Sequence, residues 1–155
     1  MTKYADDASL LVPEQTDVEI DEEFNHVLKW AVDNKLTVNM AKTKELVFHR
    51  PNPRNFVLPT VMQGIERVLC AKLLGVWLQS DLGSRTHIEY VLHICNQRLY
   101  LLSQLKKQGL TLAKLQIVFD AIVLSRVLYG APAWSGYAQS IDIDCIQKML
   151  MKAKR

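Results

Sequence analysis

The spacing of apolar residues changes once along this 155-residue chain, and that change restricts the folds open to it. Up to about Leu78 the apolar runs are short, tend to period two and are broken by Pro13, Pro51, Pro53, Pro59 and Gly64. Beyond Leu78 the period becomes 3.6: Ile88, Val91, Leu92, Cys95, Leu99, Leu102 and Leu105 fall on one helical face. Strands with one helix therefore come first and helices alone come after. That order predicts an α+β unit over residues 1–82 and an α-helical unit over 83–155.

Local signals predict the elements. Thr2–Ala5 and Ala8–Val12 read as two strands joined by a two-residue loop, Asp6-Asp7. Thr16-Asp17-Val18-Glu19 has the spacing of a capping box and predicts a helix to about Asn34-Lys35, with Ile20, Phe24, Val27, Leu28 and Ala31 on its apolar face. Leu36–Lys44 reads as a polar loop and Glu45–His49 as a strand ended by Pro51-Asn52-Pro53. Ile65–Leu69 and Leu73–Leu78 read as further strands. Thr86-His87-Ile88-Glu89 is a second capping box, and Lys106, Lys107 and Gly109 form a basic last turn with a terminating glycine. Thr111 heads a helix from Leu112 to about Leu128 whose nearly all-round apolarity predicts burial. Tyr129-Gly130-Ala131-Pro132 breaks it, and Ile141–Lys154 forms a last helix with a basic end.

Composition excludes whole classes. At 49% hydrophobic and 23% charged residues, the chain is neither disordered nor collagen-like. No apolar run approaches the ~20 residues of a membrane span, and the first residues lack a secretory signal. Cys70, Cys95 and Cys145 are odd in number and far apart, which fits reduced thiols in an intracellular core better than a disulfide framework. Residues 1–50 carry six Lys/Arg against ten Asp/Glu, a net −4, and the remainder carries a net +7. Such a split suits a cation site in one place and a polyanion partner in another.

The sharpest chemical feature is Tyr4-Ala5-Asp6-Asp7 at a predicted hairpin tip. Two adjacent carboxylates make a hard oxygen site suited to Mg²⁺, which takes one or two carboxylates together with substrate phosphates. Two such ions about 3.5–4 Å apart activate an attacking hydroxyl and stabilise a leaving oxyanion. A solvated surface turn, which aspartate also favours, is the plain alternative.

The residues around this box give it context. An aromatic-Ala-Asp-Asp between short strands, then an amphipathic helix, then Leu36-Thr37-Val38-Asn39-Met40-Ala41-Lys42-Thr43-Lys44 and a strand, resembles reverse transcriptases of non-LTR, LINE- and jockey-like retrotransposons. Leu73-Leu74-Gly75-Val76-Trp77-Leu78, the helix bearing Leu99 and Leu102, and Leu128-Tyr129-Gly130 with Trp134 extend the resemblance over nearly the whole chain. It implies the C-terminal part of a polymerase palm over 1–82 and a thumb over 83–155. It implies RNA-directed DNA synthesis with Mg²⁺ or Mn²⁺, deoxynucleoside triphosphates, an RNA template and a DNA primer, inside the cell in nucleus or cytoplasm. Asp6 would be the principal metal-binding aspartate and Asp7 its partner. Tyr4 and Ala5 would lie under the primer terminus and the incoming nucleotide. Lys42 would match the loop lysine that neutralises or protonates the departing pyrophosphate, a general-acid role; a solvated loop lysine is the alternative. Leu74 and Gly75 would match the primer-grip hairpin, where a glycine lets backbone approach the primer; a bulge in a core strand is the alternative. Arg85, Arg98, Lys106, Lys107 and Lys114 are the candidate contacts to an RNA–DNA hybrid.

The family's palm also uses an aspartate on an upstream strand, together with fingers, and neither matches any segment of this sequence. The expectation is therefore a fragment of a polymerase that does not polymerise alone. A non-enzymatic module binding RNA or an RNA–DNA hybrid, and a retroelement remnant without a selected role, stand beside it. His87, His93 and Cys95 lack the paired spacing of a zinc site and are read as packing or surface residues. Trp30, Trp77 and Trp134 are read as core or edge aromatics.

Overall fold

Short strands bounded by turn-formers pair with their nearest neighbours, and that is how this chain begins. The structure is a computed structural model that describes residues 1–14, 16–51 and 56–153. Strand β1 (Thr2–Tyr4) pairs antiparallel with β2 (Asp7–Ser9), in the register Thr2↔Ser9, Lys3↔Ala8 and Tyr4↔Asp7. The two-residue loop is Ala5-Asp6, one residue earlier than expected, so Asp7 opens the second strand. Ala5 takes the strained conformation of the turn, with φ +49°.

Helix α1 (Ile20–Asp33) starts later than the capping box predicts. Glu19 is the N-cap without a side-chain bond, and the Thr16 hydroxyl instead accepts the Val18 N–H at 3.4 Å. A local hydroxyl-to-backbone turn has won over the cap. Asp21, Glu22 and Glu23 in the first turn complement the positive end of the helix dipole. The helix stops where expected. Lys35 adopts φ +56°, its N–H bonds the Val32 carbonyl, and the Leu36 N–H bonds the Ala31 carbonyl at 2.8 Å. This is a Schellman closure with lysine where glycine is usual.

β3 (Lys44–Glu45) and β4 (Glu66–Arg67) form a two-residue parallel pair. The expected strands Glu45–His49 and Ile65–Leu69 shrink to this ladder. Across it, Arg67 makes a two-pronged bond to the buried Glu45 carboxylate, at 2.8 and 3.0 Å. The same guanidinium donates to the carbonyls of Pro59 and Thr60 at 2.6 and 2.8 Å. Lys44 pairs with Glu66. Ala31, Met62 and Ile65 are the buried apolar residues here. These elements make one compact unit, Met1–Glu45 with Pro59–Arg67.

The second unit comprises Leu46–Leu58 and the chain from Val68 onward. Asn52 and Pro53, expected to end a strand, and Lys154, expected to end the last helix, lie outside the described residues. β5 (Cys70–Leu73) and β6 (Val76–Gln79) form a hairpin with Lys72↔Trp77 and Leu73↔Val76 paired. The expected continuous strand Leu73–Leu78 is thus folded back on itself at Leu74-Gly75. Both turn residues have positive φ, +46° and +86°, the pattern of a type I′ turn. This hairpin, which sequence grouped with residues before 83, packs on the helices.

α2 (Arg85–Lys107) follows. Its capping box does not form either; the Gln79 side chain accepts the Thr86 N–H at 2.9 Å in its place. Its end is as expected: Gly109 takes φ +89°, the Gly109 N–H bonds the Lys106 carbonyl, and the Leu110 N–H bonds the Leu105 carbonyl. α3 (Leu112–Phe119), a π-helical stretch (Asp120–Leu124) and α4 (Ser125–Leu128) run on without a break. The π stretch meets α2 side chains that take up its carbonyls: Arg98 donates to Ile122, and the Cys95 thiol to Val123 at 3.9 Å. α5 (Ala131–Trp134), one 3₁₀ turn and α6 (Ser140–Ala153) complete the unit.

The apolar stripe of α2 is the centre of the core. Ile88, Val91, Cys95 and Leu102 are buried with Val76, Val123, Val127, Trp134, Ile146 and Met149. The α3–α4 helix departs from expectation, because Leu112, Ile117 and Leu128 are 74%, 68% and 59% exposed and only one face is covered. Of the three cysteines, all free, only Cys95 is in the core; Cys70 and Cys145 are exposed. The architecture is mixed α and β, with no helix among the described residues long and apolar enough to cross a membrane.

Gly130 connects the hairpin to the helices. It sits at φ +62°, and a Cβ there would lie 2.8 Å from Val76 Cγ2. Gly130→Ala is expected to lower stability by about 1–3 kcal/mol in urea unfolding. Val76→Ala in that background should relieve the collision without removing the backbone strain.

Candidate functional site

The predicted site residues fall into three places. Tyr4, Ala5, Asp6 and Asp7 share one exposed hairpin turn. Tyr4 pairs across the ladder with Asp7, while Ala5 and Asp6 form the loop. The Lys3 ammonium of β1 lies 5.1 Å from the Trp30 ring of α1, a cation–π contact between hairpin and helix. Two adjacent carboxylates exposed on a tight turn are a donor set that fits Mg²⁺ or Mn²⁺ in chemistry: hard oxygens, open to water and to a substrate's phosphates. Among the described residues no group of three or more His, Cys, Asp or Glu side chains is arranged to hold a metal ion.

Lys42 lies in the same unit, in a tight loop built by Asn39. The Asn39 side-chain oxygen accepts the Lys42 N–H at 3.2 Å, and its backbone carbonyl accepts the Thr43 hydroxyl at 2.9 Å. Asparagine thus closes this loop through its own side chain, as it does in many turns. Lys42 is exposed, and among the described residues no ion pair joins it to Asp6 or Asp7.

Leu74 and Gly75 belong to the second unit, where they form the tip of the β5–β6 hairpin. The Tyr129 hydroxyl donates to the Leu74 carbonyl at 2.7 Å. Its ring approaches Gly75 so closely that a Cβ there would stand 3.0 Å from Tyr129 Cε1. Glycine is favoured at position 75 by its φ, and a side chain there would also have to displace the tyrosine ring by a few tenths of an ångström. The Tyr129 carbonyl in turn accepts the Trp134 indole N–H at 3.2 Å. The Tyr129-Gly130…Trp134 segment is the clasp that holds the Leu74-Gly75 turn.

Around this clasp sit residues that sequence reasoning missed. Lys72 of β5 donates to the Tyr90 hydroxyl at 3.1 Å and lies 4.6 Å from the ring centroid. The Arg126 guanidinium is 5.1 Å from the Tyr90 ring and 5.7 Å from the Tyr129 ring. The Lys72 hydrogen bond, reinforced by the charges of Lys72, Arg126 and Arg98, holds the Tyr90 phenol below its usual value. No motif in the sequence marks Lys72, which lies on β5 just before the turn. The other members come from α2 and α4, far along the chain.

His87 was read as a packing or surface residue, and it is fully buried. Its ring lies 5.5 Å from that of Trp134, and its Nδ1 accepts the Trp77 backbone N–H at 3.3 Å. That bond requires a neutral ring carrying its proton on Nε2. Burial, and then the positive charges of Arg126 and Lys72, push its pKa below the ordinary 6.5. Burial likewise pushes the Cys95 thiol up.

No family model, curated protein or solved structure matches this chain.

A depressed histidine favours the folded state while it stays neutral. Its contribution is complete above pH 6.5, the ordinary value, and is lost as pH falls from there through the lower folded value. The melting temperature is expected to begin dropping below that pH, before carboxylates titrate. His87→Gln should flatten that part of the profile, at the cost of a lower melting temperature at neutral pH.

Proposed function

We propose that the chain is the C-terminal palm and the thumb of an RNA-directed DNA polymerase of the non-LTR retrotransposon type. One observation carries this reading: Asp6 and Asp7 stand together on the tight turn of an antiparallel hairpin, with Tyr4 paired to Asp7. Asp6 and Asp7 would hold Mg²⁺ or Mn²⁺, and the metal, when bound, supplies Lewis-acid stabilisation of the charge that develops in nucleotidyl transfer. Tyr4 and Ala5 would then border the primer terminus and incoming nucleotide, Lys42 would donate charge or a proton to pyrophosphate, and the Leu74-Gly75 turn would face the primer. The excess of basic residues after position 50 supports an RNA–DNA hybrid as the partner. Two carboxylates without a third ligand hold such an ion weakly, so the chain by itself is assigned a part of the activity and not all of it.

A second reading, a non-enzymatic module that binds RNA or an RNA–DNA hybrid, is favoured by the cationic residues gathered around Tyr90. The carboxylates separate the two.

In an NMR titration, substoichiometric Mn²⁺ is expected to broaden the amide signals of Ala5, Asp6 and Asp7 before those of the acidic first turn of α1, and Asp6→Asn should abolish that preference. Broadening centred on Asp21–Glu23, or spread evenly over all acidic residues, would count against a metal-binding hairpin. The purified chain is expected not to extend oligo(dT) on poly(A). Extension that disappears in Asp6→Ala would show instead that the chain holds a full catalytic set.

A further inference from the structure

Lys72, Arg126 and the Tyr90 hydroxyl are brought together from strand β5, helix α4 and the N-terminal part of the long helix α2. Among the described residues neither Lys72 nor Arg126 has a carboxylate within ion-pair distance. Both are instead placed against the Tyr90 ring, at 4.6 and 5.1 Å, and Arg126 also lies near Tyr129. The Arg126 Nε atom is buried and has no hydrogen-bond acceptor among the described residues. Two cations held against one ring without a counter-ion leave a local excess of positive charge, and a buried guanidinium donor without an acceptor carries a desolvation cost. Arg98, the third charge acting on Tyr90, donates to the Ile122 carbonyl and adds to the positive charge around the ring.

We propose that Lys72, Arg126 and the Tyr90 hydroxyl form a binding site for an oxyanion of the phosphate class. A tetrahedral oxyanion with several acceptor oxygens can take donors from three directions at once. Arginine's planar fork and lysine's point charge are the usual pair for it. The site is open to solvent, since Lys72 is exposed and Tyr90 and Arg126 are half-buried. The exposed Tyr129 ring beside it offers a face on which a sugar or base could rest. The Tyr90 phenol, held low first by the Lys72 hydrogen bond and further by the charges of Lys72, Arg126 and Arg98, reports on the site: a bound anion that draws on Lys72 and offsets the cations would move the phenol back up. The phosphate could belong to a nucleic-acid backbone or to a free phosphate compound. The site does not rest on the polymerase reading, because its argument uses neither Asp6 nor Asp7.

The test uses the full chain with two probes, a short oligo(rA)–oligo(dT) duplex and inorganic pyrophosphate, in binding titrations over a range of salt. Lys72→Gln and Arg126→Gln keep most of each stem and remove the charge. Each is expected to weaken binding about five- to tenfold near 0.1 M salt and to lower the salt slope by about one. Loss confined to the duplex identifies a backbone phosphate, and loss confined to pyrophosphate identifies a free one; either supports the site. Folded variants that bind both probes unchanged, or a wild-type chain that binds neither, would overturn it. Should Arg126→Gln fail to melt cooperatively, Lys72→Gln and the wild-type phenolate band decide. Saturation with the bound probe should shift to higher pH the component of the 295 nm titration that Tyr90→Phe removes. No shift would overturn the proposal. Failure of the Mn²⁺ experiment leaves all of these outcomes unaffected.

Discussion

The second unit turns on one hydrogen bond, from the Tyr129 hydroxyl to the Leu74 carbonyl, between residues 55 apart in sequence. A type I′ turn with leucine in its first place is strained by about 1–2 kcal/mol, and an exposed two-stranded hairpin is marginal by itself. The tyrosine ties that turn to the helical body. Its neighbour Gly130 allows Val76 to close against the backbone, and Trp134 returns its indole N–H to the Tyr129 carbonyl. Trp134 then lies tilted against His87, whose ring nitrogen accepts the N–H of Trp77 in the hairpin. Each contact makes the next one possible, and the loop they form joins β6, α2 and the α4–α5 connection into one core.

The first unit uses a different device. It buries few apolar side chains, and a bidentate Glu45–Arg67 pair spans its two-residue parallel ladder. Arg67 also satisfies two carbonyls of the 59–60 segment, so that one side chain orders a loop and neutralises a buried carboxylate. Such a pair gives geometry more than net stability. The carboxylate hairpin of this unit is exposed on its turn, with Lys3 near Trp30 as its cation–π contact with α1. An exposed turn of this kind is open to water and to ions, and its residues do little packing.

The two candidate features differ in charge. The acidic turn belongs to the part of the chain with net −4, the cationic tyrosine cluster to the part with net +7. Their surroundings differ in the same sense. Asp6 and Asp7 are exposed, whereas Arg126 has a buried nitrogen and lies near two aromatic rings. A partly desolvated cation discriminates among anions by geometry, while a hydrated carboxylate pair depends on added ligands to fix its metal.

Sequence periodicity by itself determined the helices. The α2 stripe, its Schellman end at Gly109 and the stop of α1 near Asn34 follow from local rules, because helical hydrogen bonds close within a few residues. The hairpin at Tyr4–Asp7 was legible to within one residue for the same reason. Tertiary structure decided what depends on distant partners. Both capping boxes yielded to other donors and acceptors, with Gln79 replacing Thr86 at the head of α2. An apparent strand at Leu73–Leu78 folded back once Tyr129 could hold its turn. The α3–α4 helix, apolar on nearly every side, found a core for only one face. Charged residues showed the limit most plainly. Lys72, Tyr90 and Arg126 are unremarkable in sequence, and only packing of β5, α2 and α4 makes them neighbours, since pairwise electrostatics depends on distance in space and not along the chain.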